Sequence, residues 1–351
     1  MSIKDIAKKV GVSPSTVSRV LNNPDYHCSS EELARSIREA AIELDYSPNE
    51  AARRLKKGGG TDQQKTYYIN ILLTHTDQLA MDPFFRELLD CIETEIHSRF
   101  CALSQVWVNS MFSDDELCRK KNISEEIDRM YKQTNEHADG LIIIGRCNSE
   151  AILKLKSRYK SVVSINRNPT DGLVDEITCD GSKVAYLAVQ HLISLGHRRI
   201  AYVGECSGEA RFRGFKRALE DAGIELNQDY IFDNKRARTE SREIARTIKT
   251  MREGPTGIYC ANDIIGVGLL WAFQNIRGRF ELPSVIASDD IEEGQRTKPM
   301  LTTVRLFKED MGRHAMYLLL DRLKGGHNGV IRMDIKPQIV ERGSTYKLNY
   351  H

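Results

Sequence analysis

The sequence predicts an α/β protein in which a small all-α head precedes a large domain of mostly parallel sheets. Three observations carry this. The first 47 residues hold three short helical patterns with start and stop signals, residues 58–65 form a polar Gly-rich connector, and strand-like and helical runs alternate from residue 66 onward. The 351 residues are enough for two or three domains. Apolar residues make up 40% and charged residues 28%, an ordinary globular balance that excludes a disordered or fibrous chain.

The first helix is read from the Ser2–Asp5 capping pair, places Ile3, Ile6, Ala7 and Val10 on one face, and stops at Gly11. Gly11-Val12-Ser13 forms the turn. Ser13 then caps a second helix with Pro14 at its first position, where a missing N–H costs nothing. Val17, Val20 and Leu21 face inward, leaving Ser15, Thr16, Ser18, Arg19 and Asn22 outside. Ser29 and Glu32 open a third helix with the stripe Leu33, Ile37, Ala40, Ala41 and Leu44, ended at Tyr46-Ser47-Pro48. Two short helices across a tight turn, braced by a third, read as a helix-turn-helix. Its outer hydroxyls and arginine suit a DNA major groove.

Charge supports this only locally. Net charge is +2 for the whole chain and +2 again for residues 1–60, which hold ten Lys and Arg against eight Asp and Glu. Residues 46–60 carry Arg53, Arg54, Lys56 and Lys57 against Glu50 alone, a +3 cluster placed to meet phosphates.

After the connector, Tyr68–Leu73, Gly140–Gly145, Ser161–Ile165, Ile200–Gly204, Gly257–Cys260 and Ser284–Ala287 read as strands. Helical patterns such as Pro83–Ser98 and Lys183–Leu195 separate them, giving a βαβ series of about 285 residues that is expected to split into two lobes around a cleft. No apolar run approaches about 20 residues, and the charged N-terminus lacks a secretory core, so a cytoplasmic protein without a membrane span is expected. Eight scattered cysteines make no Cys-x-x-Cys pair or zinc spacing, and no Gly-x-Ser-x-Gly, Walker loop or His-Glu-x-x-His is present. No metal, cofactor or catalytic role is expected.

The string from Ile3 to Asn22, continued by Leu44-Asp-Tyr-Ser-Pro-Asn49 and Asn49-Glu-Ala-Ala-Arg-Arg-Leu55, closely resembles the DNA-binding motif of the LacI/GalR repressor family. Landmarks further along resemble the same family: Asp82-Pro-Phe-Phe, Asp139–Gly145, His191–His197, Arg211–Phe215, Ala261–Gly266, Asp289-Asp290 and Pro299–Val304. The resemblance implies a helix-turn-helix domain over 1–47, a hinge helix and linker over 48–65, and an effector-binding and dimerisation domain over 66–351 with the two-lobed type I periplasmic-binding-protein fold. It also implies roles. Pro14 and Ser15 match the base-reading pair and Arg19 the third reader. Ser13, Thr16, Ser18 and Asn22 match backbone or groove contacts. In the hinge, Asn49, Ala52, Arg53 and Lys56 would lie against operator DNA, and Leu55 matches the leucine wedged into its central minor-groove step.

In the large domain the resemblance assigns Asp82, Phe84, Asn166, Arg211, Asn262 and Asp289 to the effector, with a helix cap or salt bridge as the alternative role for several of them. The large domain departs from the family in four places: Asn166 replaces Asp, Ala287-Ser288 replaces Gly-aromatic, the preceding loop Phe280-Glu-Leu-Pro-Ser is short, and only Tyr230 or Phe232 stands for an aromatic near 230–236. The function implied is a homodimeric repressor, without leucine heptads for a tetramer, that binds pseudo-palindromic double-stranded operator DNA and is released by a sugar effector. The second reading is a corepressor such as a purine or a phosphosugar, for which Arg86, Arg146 and Arg167 would supply cations. A sugar-binding protein or enzyme without a regulatory role is the distant third.

Overall fold

A computed structural model of the chain describes residues 3–14, 16–17, 20, 33, 36–37, 40, 66–74, 82–113, 123–135, 137–166, 170, 172–233, 240–276 and 281–348. Ser2 of the capping pair, Ser15, Ser18, Arg19, Leu21, Asn22, the Ser29–Glu32 start signal, the hinge residues Asn49, Ala52, Arg53, Leu55 and Lys56, the linker and Arg167 lie outside them. The chain divides into two compact units, residues 1–65 and 66–351.

In the first unit, helix α1 (Ile3–Val10) ends as the Gly11 and Val12 amides both donate to the Ala7 carbonyl, with Gly11 at φ +74°. A residue with a Cβ would be strained there. Ser13 caps the next helix: its Oγ accepts from the Thr16 amide at 3.1 Å. Ile6, Ala7, Val17, Val20, Ile37 and Ala40 are buried together, with Val10, Val12 and Leu33 packed against them. These buried residues come from all three of the apolar stripes read in the sequence.

The second unit holds two six-stranded sheets. The first contains β1 (Tyr68–Leu73), β2 (Ala102–Val108), β3 (Gly140–Ile144), β4 (Ser161–Asn166), β5 (Asp175–Thr178) and β11 (Arg332–Asp334), in the order β11-β5-β4-β3-β1-β2. The second contains β6 (Ile200–Gly204), β7 (Ile231–Asp233), β8 (Gly257–Cys260), β9 (Ser284–Asp289), β10 (Thr302–Arg305) and β12 (Gln338–Val340), in the order β12-β10-β9-β8-β6-β7. Every described pairing is parallel except β10 with β12. Central strands such as β3 and β4 are buried along their whole length, as parallel strands covered on both faces must be.

The helices are α2 (Pro83–Ser98), α3 (Ile123–Gln133), α4 (Ser149–Lys156), α5 (Gly181–Ser194), α6 (Ala210–Asp221), α7 (Ser241–Thr250), α8 (Asp263–Gln274), α9 (Glu292–Gln295) and α10 (Lys308–Leu323). The chain passes between lobes three times: from β5 to α5, from β10 to α10, which packs on α2 and the first sheet, and from β11 to β12. Helices α5 and α6 touch closely because Gly214 has no side chain. A Cβ there would lie 2.0 Å from the Ser182 carbonyl oxygen. Gly214→Ala is therefore expected to force the helices apart and cost at least about 1–3 kcal/mol, read from the urea midpoint; an unchanged midpoint would contradict this packing.

The connection from α10 to β11 is fastened to β5 by a charged cluster. Arg322, in the last turn of α10, donates two hydrogen bonds to the fully buried Asp175 carboxylate, at 2.6 and 2.7 Å. His327 bridges Asp321 at 2.6 Å and Asp175 at 2.9 Å. Burial alone would raise Asp175, but the Arg322 hydrogen bonds, the Ile331 amide and His327 hold it below the usual carboxylate range. The Asp321 and then the Asp175 hydrogen bonds raise His327 above its ordinary value. A histidine raised on folding adds stability that is complete below its unfolded pKa of about 6.5 and is lost as pH climbs through the folded value. The melting temperature should fall as pH climbs above about 6.5, and His327→Gln should remove most of that fall. An identical pH profile in the variant would show that the cluster does not titrate in this window.

Candidate functional site

In the head, Ser13 and Pro14 are exposed and Thr16 is partly exposed at the start of the second helix. Ser13 Oγ also lies 2.9 Å from Thr16 Oγ1, so the two hydroxyls form a polar pair at the helix N-terminus. Backbone N–H groups and hydroxyls gathered at such an end suit a phosphate or a base edge.

In the large unit, a cavity of about 40 Å³ lies between the lobes, where the carboxyl ends of strands from both sheets converge. Phe84, Phe85 and Leu88 of α2 form an apolar wall on one side, the two phenylalanine rings meeting edge to face at 5.3 Å. The ends of β3 and β4 add Ile144, Arg146, Ile165 and Asn166, and Met311 of α10 closes the first-lobe side. The other lobe contributes Glu209 and Arg211 from the start of α6.

Arg211 is buried and held tightly. Its Nε donates to Glu209 Oε1 at 2.9 Å and its Nη1 to the Ala261 carbonyl at 2.6 Å. Burial opposes the charge, but the Glu209 carboxylate outweighs it and keeps the guanidinium firmly protonated. Asp289 ends β9 near this guanidinium and is 4% exposed. Behind it, burial and then the Asp289 charge push Asp263 up to about 7, although its oxygens accept from Thr303 Oγ1 at 2.6 Å and the Ile291 amide at 2.9 Å.

Of the six residues singled out for the effector, Phe84, Asn166 and Arg211 line the cavity, while Asp289 lies outside its lining and acts on Arg211 through its charge. Asp82 and Asn262 act as helix caps. Asp82 Oδ1 accepts from the Phe85 amide at 3.4 Å, and Asn262 Oδ1 accepts from the Ile265 amide at 3.0 Å. Tyr230 is buried with its hydroxyl on the Glu253 carbonyl, and Phe232 packs on the core, so neither supplies an aromatic wall to this cavity. His191 and His197 are buried; His197 spans Thr256 and the Tyr346 carbonyl and is depressed by burial. Sequence reasoning missed Glu209 as the partner of Arg211, and Met311.

Comparison with known proteins agrees with both halves of this description. Residues 2–49 match the family model of bacterial regulatory proteins of the lacI family, and residues 189–345 match a periplasmic binding protein-like domain. The chain belongs to the LacI family. The HTH-type transcriptional repressor PurR of Haemophilus influenzae (strain PittEE) is 28% identical over 356 residues, covering 98% of each chain. That of Vibrio vulnificus is also 28% identical over 356 residues, covering 99% of each. Among solved structures, the transcriptional regulator CelR–cellobiose complex aligns with a TM-score of 0.66 at 21% identity, over 98% of this chain and 100% of that one. The lac repressor dimer bound to operator and the anti-inducer ONPF aligns with a TM-score of 0.65 at 20% identity, over 99% of each. At these identities the structures establish a shared fold. This LacI-family transcriptional repressor thus pairs a helix-turn-helix head with a two-lobed α/β domain, and among its described residues no helix is long and apolar enough to cross a membrane.

Proposed function

We propose that this LacI-family repressor is a cytoplasmic homodimer that binds a pseudo-palindromic operator through its head and is released by a sugar bound between its lobes. The observation that carries this reading is the cleft itself: an apolar wall of Phe84, Phe85 and Leu88 faces a fixed guanidinium, Arg211, with Asn166 beside it. A sugar presents an apolar ring face and a rim of hydroxyls, and this pairing of surfaces suits both. The small volume matters too, because about 40 Å³ is well below the roughly 300–1,000 Å³ of ordinary ligand pockets and leaves no room for a whole sugar ring. Binding would therefore favour a different lobe arrangement from the one described, which is what an effector must do to shift an equilibrium. By the family's pattern Ser13, Pro14, Ser15, Thr16, Ser18, Arg19 and Asn22 would meet the half-site, and Asn49, Ala52, Arg53, Leu55 and Lys56 the centre.

Dimerisation has its own support. Ile264, Val267, Gly268 and Trp271 recur at i, i+3, i+4 and i+7 on α8, and line a broad open depression of about 650 Å³ with Ile291 and Arg296. Helix α8 already buries Ile265, Leu269 and Phe273 against its own lobe, so this second apolar stripe calls for a second surface. A copy of the same chain fits, since two half-sites require two-fold symmetry.

The test selects DNA from random duplexes with the full-length protein and measures affinity with and without D-ribose, cellobiose and D-glucose 6-phosphate. A palindromic consensus, and weaker binding with a sugar, are expected. Tighter binding on adding any of them would replace induction by corepression, and no sequence preference would sink the operator reading.

A further inference from the structure

The first residue of α10, Lys308, is a cation in two unfavourable places at once. It is 7% exposed, and it occupies a helix N-terminus, where the backbone dipole repels positive charge. Such a violation persists where neighbouring groups offset it, and here they do so completely. The ammonium has three protons and three acceptors: the Asp289 carbonyl at 3.0 Å, the Asp290 carbonyl at 3.1 Å and Glu87 Oε2 at 3.0 Å. The Phe84 ring centroid lies 5.5 Å from it.

These partners come from both lobes. Glu87 and Phe84 belong to α2 of the first lobe, while Asp289 and Asp290 end β9 of the second. The second-lobe partners are strained as well: Asp289 has φ +130° and Asp290 φ +54°, two consecutive left-handed residues without glycine. Their carbonyls point where the ammonium can hold them. Around the same turn, Glu87 Oε1 accepts from the Glu292 amide at 3.4 Å, Arg86 approaches Glu293 at 3.7 Å, and Arg342 donates to Asp290 at 2.6 Å.

We propose that Lys308 is a positioning residue of the effector site: clamped by Glu87 of one lobe, it holds the strained Asp289-Asp290 turn of the other, so that lobe orientation sets where the Asp289 carboxylate stands. This rests on the reading of the cleft as an effector site. A structural ion pair alone would stabilise the fold without linking the two. When the lobes separate, Lys308 cannot keep all three partners, and the turn is freed together with the cleft.

The test uses the full-length protein and residue-resolved amide exchange in the absence of any sugar. Glu87→Gln is the decisive variant, being nearly isosteric and lying in the first lobe. It is expected to speed exchange of the Ile291 amide, which bonds Asp263 and does not touch Glu87, about tenfold or more, while Ile71 and Ile142 keep their wild-type rates. Lys308→Met should do the same, and Lys308→Arg should restore part of the protection. An Ile291 amide unaffected by Glu87→Gln overturns the inference, as does a uniform rise across both sheets. Should Lys308→Met fail to fold, Glu87→Gln decides alone. In a second arm, whichever of D-ribose, cellobiose and D-glucose 6-phosphate raises the wild-type melting temperature is titrated into both variants, with about 5–150-fold weaker binding expected. Wild-type affinity in both overturns the positioning role. If none of the three shifts the wild type, the effector reading fails for these sugars, while the exchange arm still decides the interlobe link.

Discussion

Arg211→Ala is expected to lose about 3–5 kcal/mol of stability and, with it, the response to sugar. The stability loss follows from burial rather than from charge alone. The Arg211 side chain is 9% exposed and that of Glu209 5%, and the guanidinium binds both this carboxylate and the Ala261 carbonyl just after β8. Taking the guanidinium away leaves the carboxylate and that carbonyl in a site built around a cation, and a broken buried pair costs far more than an exposed one. The arrangement also fixes what Arg211 can offer a ligand. With Nε on Glu209 and Nη1 on Ala261, the guanidinium plane is set before anything binds, so the ligand need not order it.

A double-mutant cycle separates the two effects. Glu209→Gln with Arg211→Met removes both charges and should be less destabilised than the summed singles, because no buried ion is then left without its partner. Sugar binding should stay absent in the double variant. Urea unfolding and thermal shift read the two quantities. Arg211→Ala within about 0.5 kcal/mol of wild type would show that the pair is a surface-like contact, and an intact sugar response would remove Arg211 from the site.

The sequence revealed those parts of the molecule whose periodicity is strong. The buried members of the head core, Ile6, Val17, Val20 and Ile37, fall on the stripes that helical spacing picks out, and Ser13 caps its helix as a serine before proline should. The central strands β1, β3, β4, β6, β8 and β9 were legible because strands covered on both faces are continuous apolar runs. Edge strands were not. Strand β2 is half exposed along its length, and β11 and β12 are three residues each, too short to carry a period. Strand β9 runs two residues beyond its apolar part, through Ser288 and Asp289, because pairing with Val304 and Arg305 of β10 holds polar residues in the sheet.

The candidate site was legible by residue type and only partly by role. Asp82 and Asn262 precede helices, and the same short polar side chain that could take a hydroxyl there is also the best helix cap. Nothing local in the chain distinguishes the two uses. Lys308 was invisible for another reason. Its partners, Glu87 and the Asp289-Asp290 carbonyls, lie far away in sequence, and two of them are backbone atoms that every residue possesses.

The second large effect belongs to Trp271. Its side chain is 60% exposed, an unusual state for a tryptophan, and it lies on the outward stripe of α8 rather than alone on the surface. Trp271→Glu should leave the fold of each subunit intact, because the side chain adds little to its own core, but should place a charge at the centre of the proposed interface. Indole anchors of this kind dominate interface energetics, and a buried unpaired carboxylate opposes association directly. The variant is expected to sediment as a monomer. Operator affinity should then fall by about 10²–10⁴-fold, since the second half-site no longer benefits from attachment to the first. Affinity for a single half-site should be nearly unchanged, and this separates loss of pairing from damage to the head. A Trp271→Glu protein that remains dimeric would place the two-fold contact elsewhere. A monomer that keeps full operator affinity would show instead that this repressor reads its DNA one subunit at a time.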